Sequence, residues 1–180
     1  MDPAELTALL RSGKRRPIYE ASASTRDVEH GRRAIERLLP HRDPFLFVDL
    51  ITRVDLEQRA LTAQRSIDPD DPVFVGHFPG YPIYPGVLQL ETMGQAGICL
   101  THFLRNGTLE VSADTTPCDV RAFKIHSAVF VEEVGPGDEL TIEARLLSDD
   151  SMTAVCLGQL RRGPAIASLA VMEVYFVDEA

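Results

Sequence analysis

Pro85-Gly86-Val87-Leu88-Gln89-Leu90-Glu91-Thr92-Met93-Gly94-Gln95-Ala96-Gly97-Ile98-Cys99-Leu100-Thr101-His102-Phe103 is the only long apolar helix candidate in the chain. Its apolar residues fall around most of the helical cylinder rather than along one stripe, so this helix belongs inside something. Pro85 suits the first turn, where a missing N–H costs nothing. The cover for such a helix must come from the segments on either side.

Those segments are mostly strand-like. Residues 45–54 are rich in aromatic and β-branched side chains, and 59–67 alternate well enough to pair with them across a turn at Asp55-Leu56-Glu57-Gln58. After the helix, 121–134, 138–147, 151–160 and 165–177 are β-like, separated by Gly135-Pro136-Gly137, Ser148-Asp149-Asp150 and Arg161-Arg162-Gly163-Pro164. Strands, one buried helix, then more strands on short turns make an α+β domain in which a curled antiparallel β-sheet wraps round a central α-helix, the hot-dog arrangement. The N-terminal part reads differently. Asp2 and Pro3 cap a short helix, polar and breaker-rich sequence follows, and 26–39 has helical spacing closed by Pro40. The expected division is an N-terminal extension, partly mobile, over 1–35 and the main domain over 36–180.

At 180 residues the chain is long enough for a core without disulfide or metal support. A net charge of -9 with no long Lys/Arg block argues against nucleic acid. Cys99, Cys118 and Cys156 are widely separated and lack CxxC spacing, which suits reduced thiols in a cytoplasm. No metal-ligand spacing is evident, and no run approaches the ~20 apolar residues of a membrane span. A soluble, cytoplasmic protein without nucleic-acid or membrane partners is expected.

The chemistry concentrates in residues 76–91, Gly-His-Phe-Pro-Gly-Tyr-Pro-Ile-Tyr-Pro-Gly-Val-Leu-Gln-Leu-Glu. Three glycines and three prolines fix the backbone and let it pass close to a ligand, while His77 and Glu91 bracket the run. Gly86 and Val87, just inside the helix, would offer unpaired N–H groups at its positive end to a carbonyl oxygen gaining charge. Glu91, in the second turn of a buried helix, is expected to be desolvated and so suited to proton donation, with His77 as the complementary base. A lone loop histidine is more often structural. A base, an acid and an oxyanion donor in one segment instead describe proton abstraction beside a carbonyl with loss of a β-substituent. Gln95, one turn after Glu91, can orient that carboxyl group or tie the helix to a loop.

Leu39-Pro40-His41-Arg42-Asp43-Pro44-Phe45-Leu46-Phe47-Val48-Asp49, the 76–88 run and Glu91-Thr92-Met93-Gly94-Gln95-Ala96 together resemble the (3R)-hydroxyacyl-[acyl carrier protein] dehydratases of the FabZ type, over about residues 36–178. The resemblance implies a hot-dog dimer whose catalytic histidine and acid come from opposite subunits, here His77 and Glu91. It implies elimination from a 3-hydroxyacyl thioester to a trans-2-enoyl thioester without a cofactor, on an acyl carrier protein partner, in a homodimer or trimer of dimers. Phe78, Pro85, Gly86, Val87 and Gln95 form the expected substrate-binding set, and His41 and Arg42 are read as structural. Glu91 rather than Asp points to the simple dehydratase branch. Two other readings remain open: a hot-dog thioesterase, which would not need His77 as a base, and a non-catalytic acyl-binding subunit.

Overall fold

The computed structural model describes residues 2–177; Met1 and residues 178–180 of the expected main domain lie outside it. The elements run α1 (Pro3–Gly13), β1 (Arg26–Gly31), α2 (Arg32–Leu38), β2 (Leu50–Asp55), β3 (Ala60–Ser66), α3 (Val73–Gly76) and α4 (Gly86–Asn106). Then follow β4 (Val120–Phe130), β5 (Glu139–Asp149), β6 (Thr153–Arg162) and β7 (Ala165–Phe176). Seven strands form one antiparallel sheet in the order β1-β2-β3-β5-β6-β7-β4. Its concave face covers α4, which touches β3, β4, β5, β6 and β7. This is the hot-dog fold expected from the sequence.

Met93, Leu100 and Phe103 of α4 are fully buried among Leu61, Ile142 and Ala170 of the sheet. Each such side chain contributes about 1.5–3 kcal/mol by leaving water. The approach is close: a Cβ on Gly158 of β6 would lie 2.6 Å from Met93 Cβ. The helix ends at Gly107, whose φ of 62° stops it in the left-handed conformation.

Two expectations need correction. Residues 26–31 are a strand, not the first turns of a helix: β1 pairs with β2 from Arg26 opposite Val54 to Gly31 opposite Leu50, and helix begins only at Arg32. The open edge of β2 supplies hydrogen-bond partners that helical spacing in the sequence does not foresee. The second correction concerns 45–54, where strand begins only at Leu50. Ahead of it the backbone is held by side chains, with Gln95 bonding Phe47 N and Phe45 O and Arg65 bonding Leu46 O. The N-terminal extension also packs on the sheet. Gln159 Nε2 donates to Gly13 O at 2.7 Å and Arg16 O at 3.0 Å, and the Ile18 N–H donates to Glu143.

Candidate active site

His77 follows the short helix α3, in a loop tied to itself. Ile83 N donates to His77 O, Phe78 and Tyr81 exchange backbone bonds, and Tyr84 N donates to Val134 O at 2.7 Å. Gly80 takes the φ of 78° that this turn requires, and the His77–Phe78 peptide bond is cis. His77 Nδ1 lies 2.8 Å from Ile83 O. A carbonyl can only accept, so Nδ1 carries a proton, and in the neutral ring the lone pair is then on Nε2. The Phe78 ring stacks on the imidazole at 4.1 Å and is half exposed, so it shapes the approach to that nitrogen.

Pro85, Gly86 and Val87 form the start of α4. Pro85 is the N-cap with no side-chain cap, and among the described residues no group accepts from the Gly86 or Val87 N–H. A Cβ at 86 would stand 2.8 Å from the Phe130 ring, so any side chain here must displace that ring. Two free N–H groups at a helix N-terminus are thus left for an oxygen that gains negative charge.

Glu91 sits between two partners. Gln95 Nε2 donates to its Oε1 at 2.8 Å, and His41 Nε2 lies 3.3 Å from the same oxygen. Gln95 is fully buried and uses both ends of its amide: it orients the carboxyl group and also ties α4 to residues 45–47. His41, read from the sequence as structural, stands against the candidate acid, and its ring stacks over Phe45. The expectation that Glu91 is desolvated is not met within one chain. Its side chain is 32% exposed, because it faces a groove of about 670 Å³ rather than the sheet.

That groove runs between α4 and the β4–β7 edge of the sheet. His41, Glu91 and Ile98 stand on one wall, and Ala122, Ile125, Met172 and Val174 on the other. His77 does not line it, so one chain does not bring His77 and Glu91 together. β4 is the outer strand, and its Phe123, Ile125 and Phe130 are 51–63% exposed, an apolar edge with nothing over it in the single chain. No helix among the described residues is long and apolar enough to cross a membrane.

The FabA-like domain family matches residues 39–162. A Chlamydia abortus protein named 3-hydroxyacyl-[acyl-carrier-protein] dehydratase FabZ is 37% identical over 82% of this chain and 92% of its own length. Its namesake from Xanthomonas euvesicatoria is 35% identical over 77% and 88%. One from Chlamydia trachomatis serovar L2 is 44% identical over 63% and 71%. Among solved structures, the dehydratase heterocomplex ApeI:P from Xenorhabdus doucetiae aligns with a TM-score of 0.64 over 81% of this chain and 91% of that chain, at 17% identity. A hypothetical thioesterase with coenzyme A from Streptococcus pneumoniae aligns at 0.51 over 68% and 81%, at 10% identity. The two structures share the fold alone. With a matching domain over most of the chain and relatives 35–37% identical along 88–92% of their own length, the chain belongs to the FabA-like family, beside its FabZ members.

Proposed function

We propose that this chain removes water from a (3R)-hydroxyacyl thioester on acyl carrier protein, giving the trans-2-enoyl thioester for fatty-acid biosynthesis. The observation that carries the reading is Glu91, presented to an open groove and oriented by Gln95 and His41, on the framework of this family. His77 Nε2 takes the C2 proton. The electron pair passes toward the thioester carbonyl, whose oxygen is met by the Gly86 and Val87 N–H groups. As the C2–C3 double bond forms, the C3–O bond breaks. The leaving hydroxyl takes a proton from protonated Glu91 and departs as water. No electrons are gained or lost, and returning the proton from His77 to Glu91 through solvent resets the site. A positioned acid or base supplies ~10² to 10⁴-fold each.

Because His77 does not line the groove of its own chain, the working unit is a homodimer in which a second copy brings His77 to Glu91. The bare apolar edge of β4 supports this. An assay with crotonyl thioester, following enoyl absorbance and free thiol together, tests the activity. Loss of enoyl absorbance without thiol release is the expected result; thiol release instead would make the protein a thioesterase, and neither would leave an acyl-binding subunit.

A further inference from the structure

Glu91 shares one face of α4 with Gly94, Ile98 and His102, since residues at this spacing lie within roughly 80° of one another round a helix. The first three border the groove. His102 borders instead a second cavity, of about 560 Å³, together with Asn106 and Cys118, and the two cavities have no lining residue in common. Something between Glu91 and His102 therefore closes the groove.

Gly94 is not the barrier. It is partly exposed, and a Cβ built on it would meet nothing within 4 Å, so the groove is open one turn beyond Glu91. The facing wall there is hydrocarbon: Met172 and Val174 of β7 pack on the helix side, and Ala122 of β4 is paired with Val174. Ile98 differs. It is only 9% exposed and belongs to the core, and Val120, at the start of β4, packs on that core from the other wall. Past this pair the second cavity is walled by Thr108, Glu110, Ser112 and Asp114. Methylene groups entering it would displace water from those side chains and return no hydrogen bond.

We infer that the acyl chain lies along α4 from Glu91 over Gly94 and is stopped by Ile98 and Val120, so that the preferred substrate is a 3-hydroxyacyl thioester of medium length. The inference rests on the dehydratase reading and adds a chain length to it. From Glu91 to Ile98 the helix advances about 10 Å, at ~1.5 Å per residue. An extended alkyl chain with bonds of ~1.5 Å advances ~1.25 Å per carbon, so about eight carbons fit beyond C3 and the whole acyl chain is limited to about ten to twelve.

The test is kcat/KM for (3R)-hydroxyacyl thioesters from butyryl to hexadecanoyl, each on acyl carrier protein and on coenzyme A, with the wild type, Ile98→Ala and Val120→Ala, and a melting curve for each protein. The wild type should gain with added methylene groups, by at most about four-fold each, up to the decanoyl substrate. It should lose about ten-fold or more by the hexadecanoyl one, where overpacking sets in. Ile98→Ala removes three carbons from the stop and should move the fall to chains about three carbons longer. Such a gain on long chains cannot come from loss of structure. If Ile98→Ala does not fold, because Ile98 belongs to the core, Val120→Ala on the half-buried wall opposite carries the same test; if neither folds, the wild-type cut-off decides. A wild-type profile that is flat or still rising at hexadecanoyl, or folded variants that keep the wild-type cut-off, overturns the inference and leaves the dehydratase reading intact. Absence of enoyl product at every length on both carriers overturns the dehydratase reading, and this inference falls with it.

Discussion

His77 and Glu91 are held by different means, and their removal should look different. His77→Ala deletes the base and should lower kcat by ~10² to 10⁴-fold, with the melting temperature moving little because the loop keeps its backbone bonds. Glu91→Gln keeps the shape but cannot donate as an acid, and should cost a similar factor; near-normal turnover in either variant would remove the assignment. Gly86→Ala is a finer probe. Its Cβ would meet the Phe130 ring at 2.8 Å, and that ring is half exposed and can swing aside, so the loss should appear in kcat more than in stability. Phe130→Leu added to Gly86→Ala should restore part of the rate, and no recovery would mean that the methyl group itself blocks the oxygen. His77, Glu91, Gly86 and Gln95 were legible in the sequence because they share one segment whose glycines, prolines and helical spacing limit their arrangement. His41 and Phe130 were not, because their contacts join residues about fifty and forty-four positions apart that no local pattern connects.

At the scale of elements, the apolar helix and the strands after it were legible from their periods and turn residues, with boundaries shifted by a few positions. What the sequence concealed was the edge of the sheet. Residues 26–31 have helical spacing but become β1, and the segment before them is anchored by one carboxylate on β2. Asp55 is fully buried and accepts from Ser22, Ser24 and Thr25 and from the Gln58 N–H. Burial alone would push its carboxyl group up; the Gln58 N–H and the three hydroxyls outweigh that and hold its pKa at about 2, below the ordinary 3.8. Its ionised form is therefore favoured by folding. The contribution, about 2 kcal/mol, is complete above roughly pH 5 and fades as the pH falls through 4 toward 2. Denaturant unfolding across that range should show this slope in the wild type and a shallower one in Asp55→Asn, which should also expose residues 14–25 to protease. Equal slopes would mean that the hydroxyl cluster does not hold the arm.

Taken whole, the molecule keeps His77 out of the groove that presents Glu91, and it carries an acidic net charge of -9. If a second copy completes the site, co-expressed His77→Ala and Glu91→Gln chains should form hybrid dimers with one intact site and recover a measurable part of the activity that neither homodimer has. Proven heterodimers without activity would place both groups in one subunit. The same net charge bears on the carrier, since acyl carrier protein is acidic and long-range repulsion must be overcome by a local patch. Arg42, Arg121, Lys124, Arg161 and Arg162 are the cations to weigh for such a patch, and the structure separates them. Arg161 is spent on Glu143, Arg162 on Asp138 and Glu132, and Arg42 on the Leu39 and His41 carbonyls. Arg121 and Lys124 remain on the exposed rim of the groove that holds Glu91; Arg121 is paired with Asp119, and among the described residues Lys124 makes no ion pair. Lys124→Glu should therefore slow turnover of a carrier-bound substrate more than Arg121→Glu does, and the double reversal more than either, while a small thioester is spared. The gap should close as added salt shortens the screening length from ~10 Å at 0.1 M toward ~3 Å at 1 M. Equal effects on carrier-bound and small substrates at low salt would move the docking surface elsewhere and favour a coenzyme A thioester as the substrate.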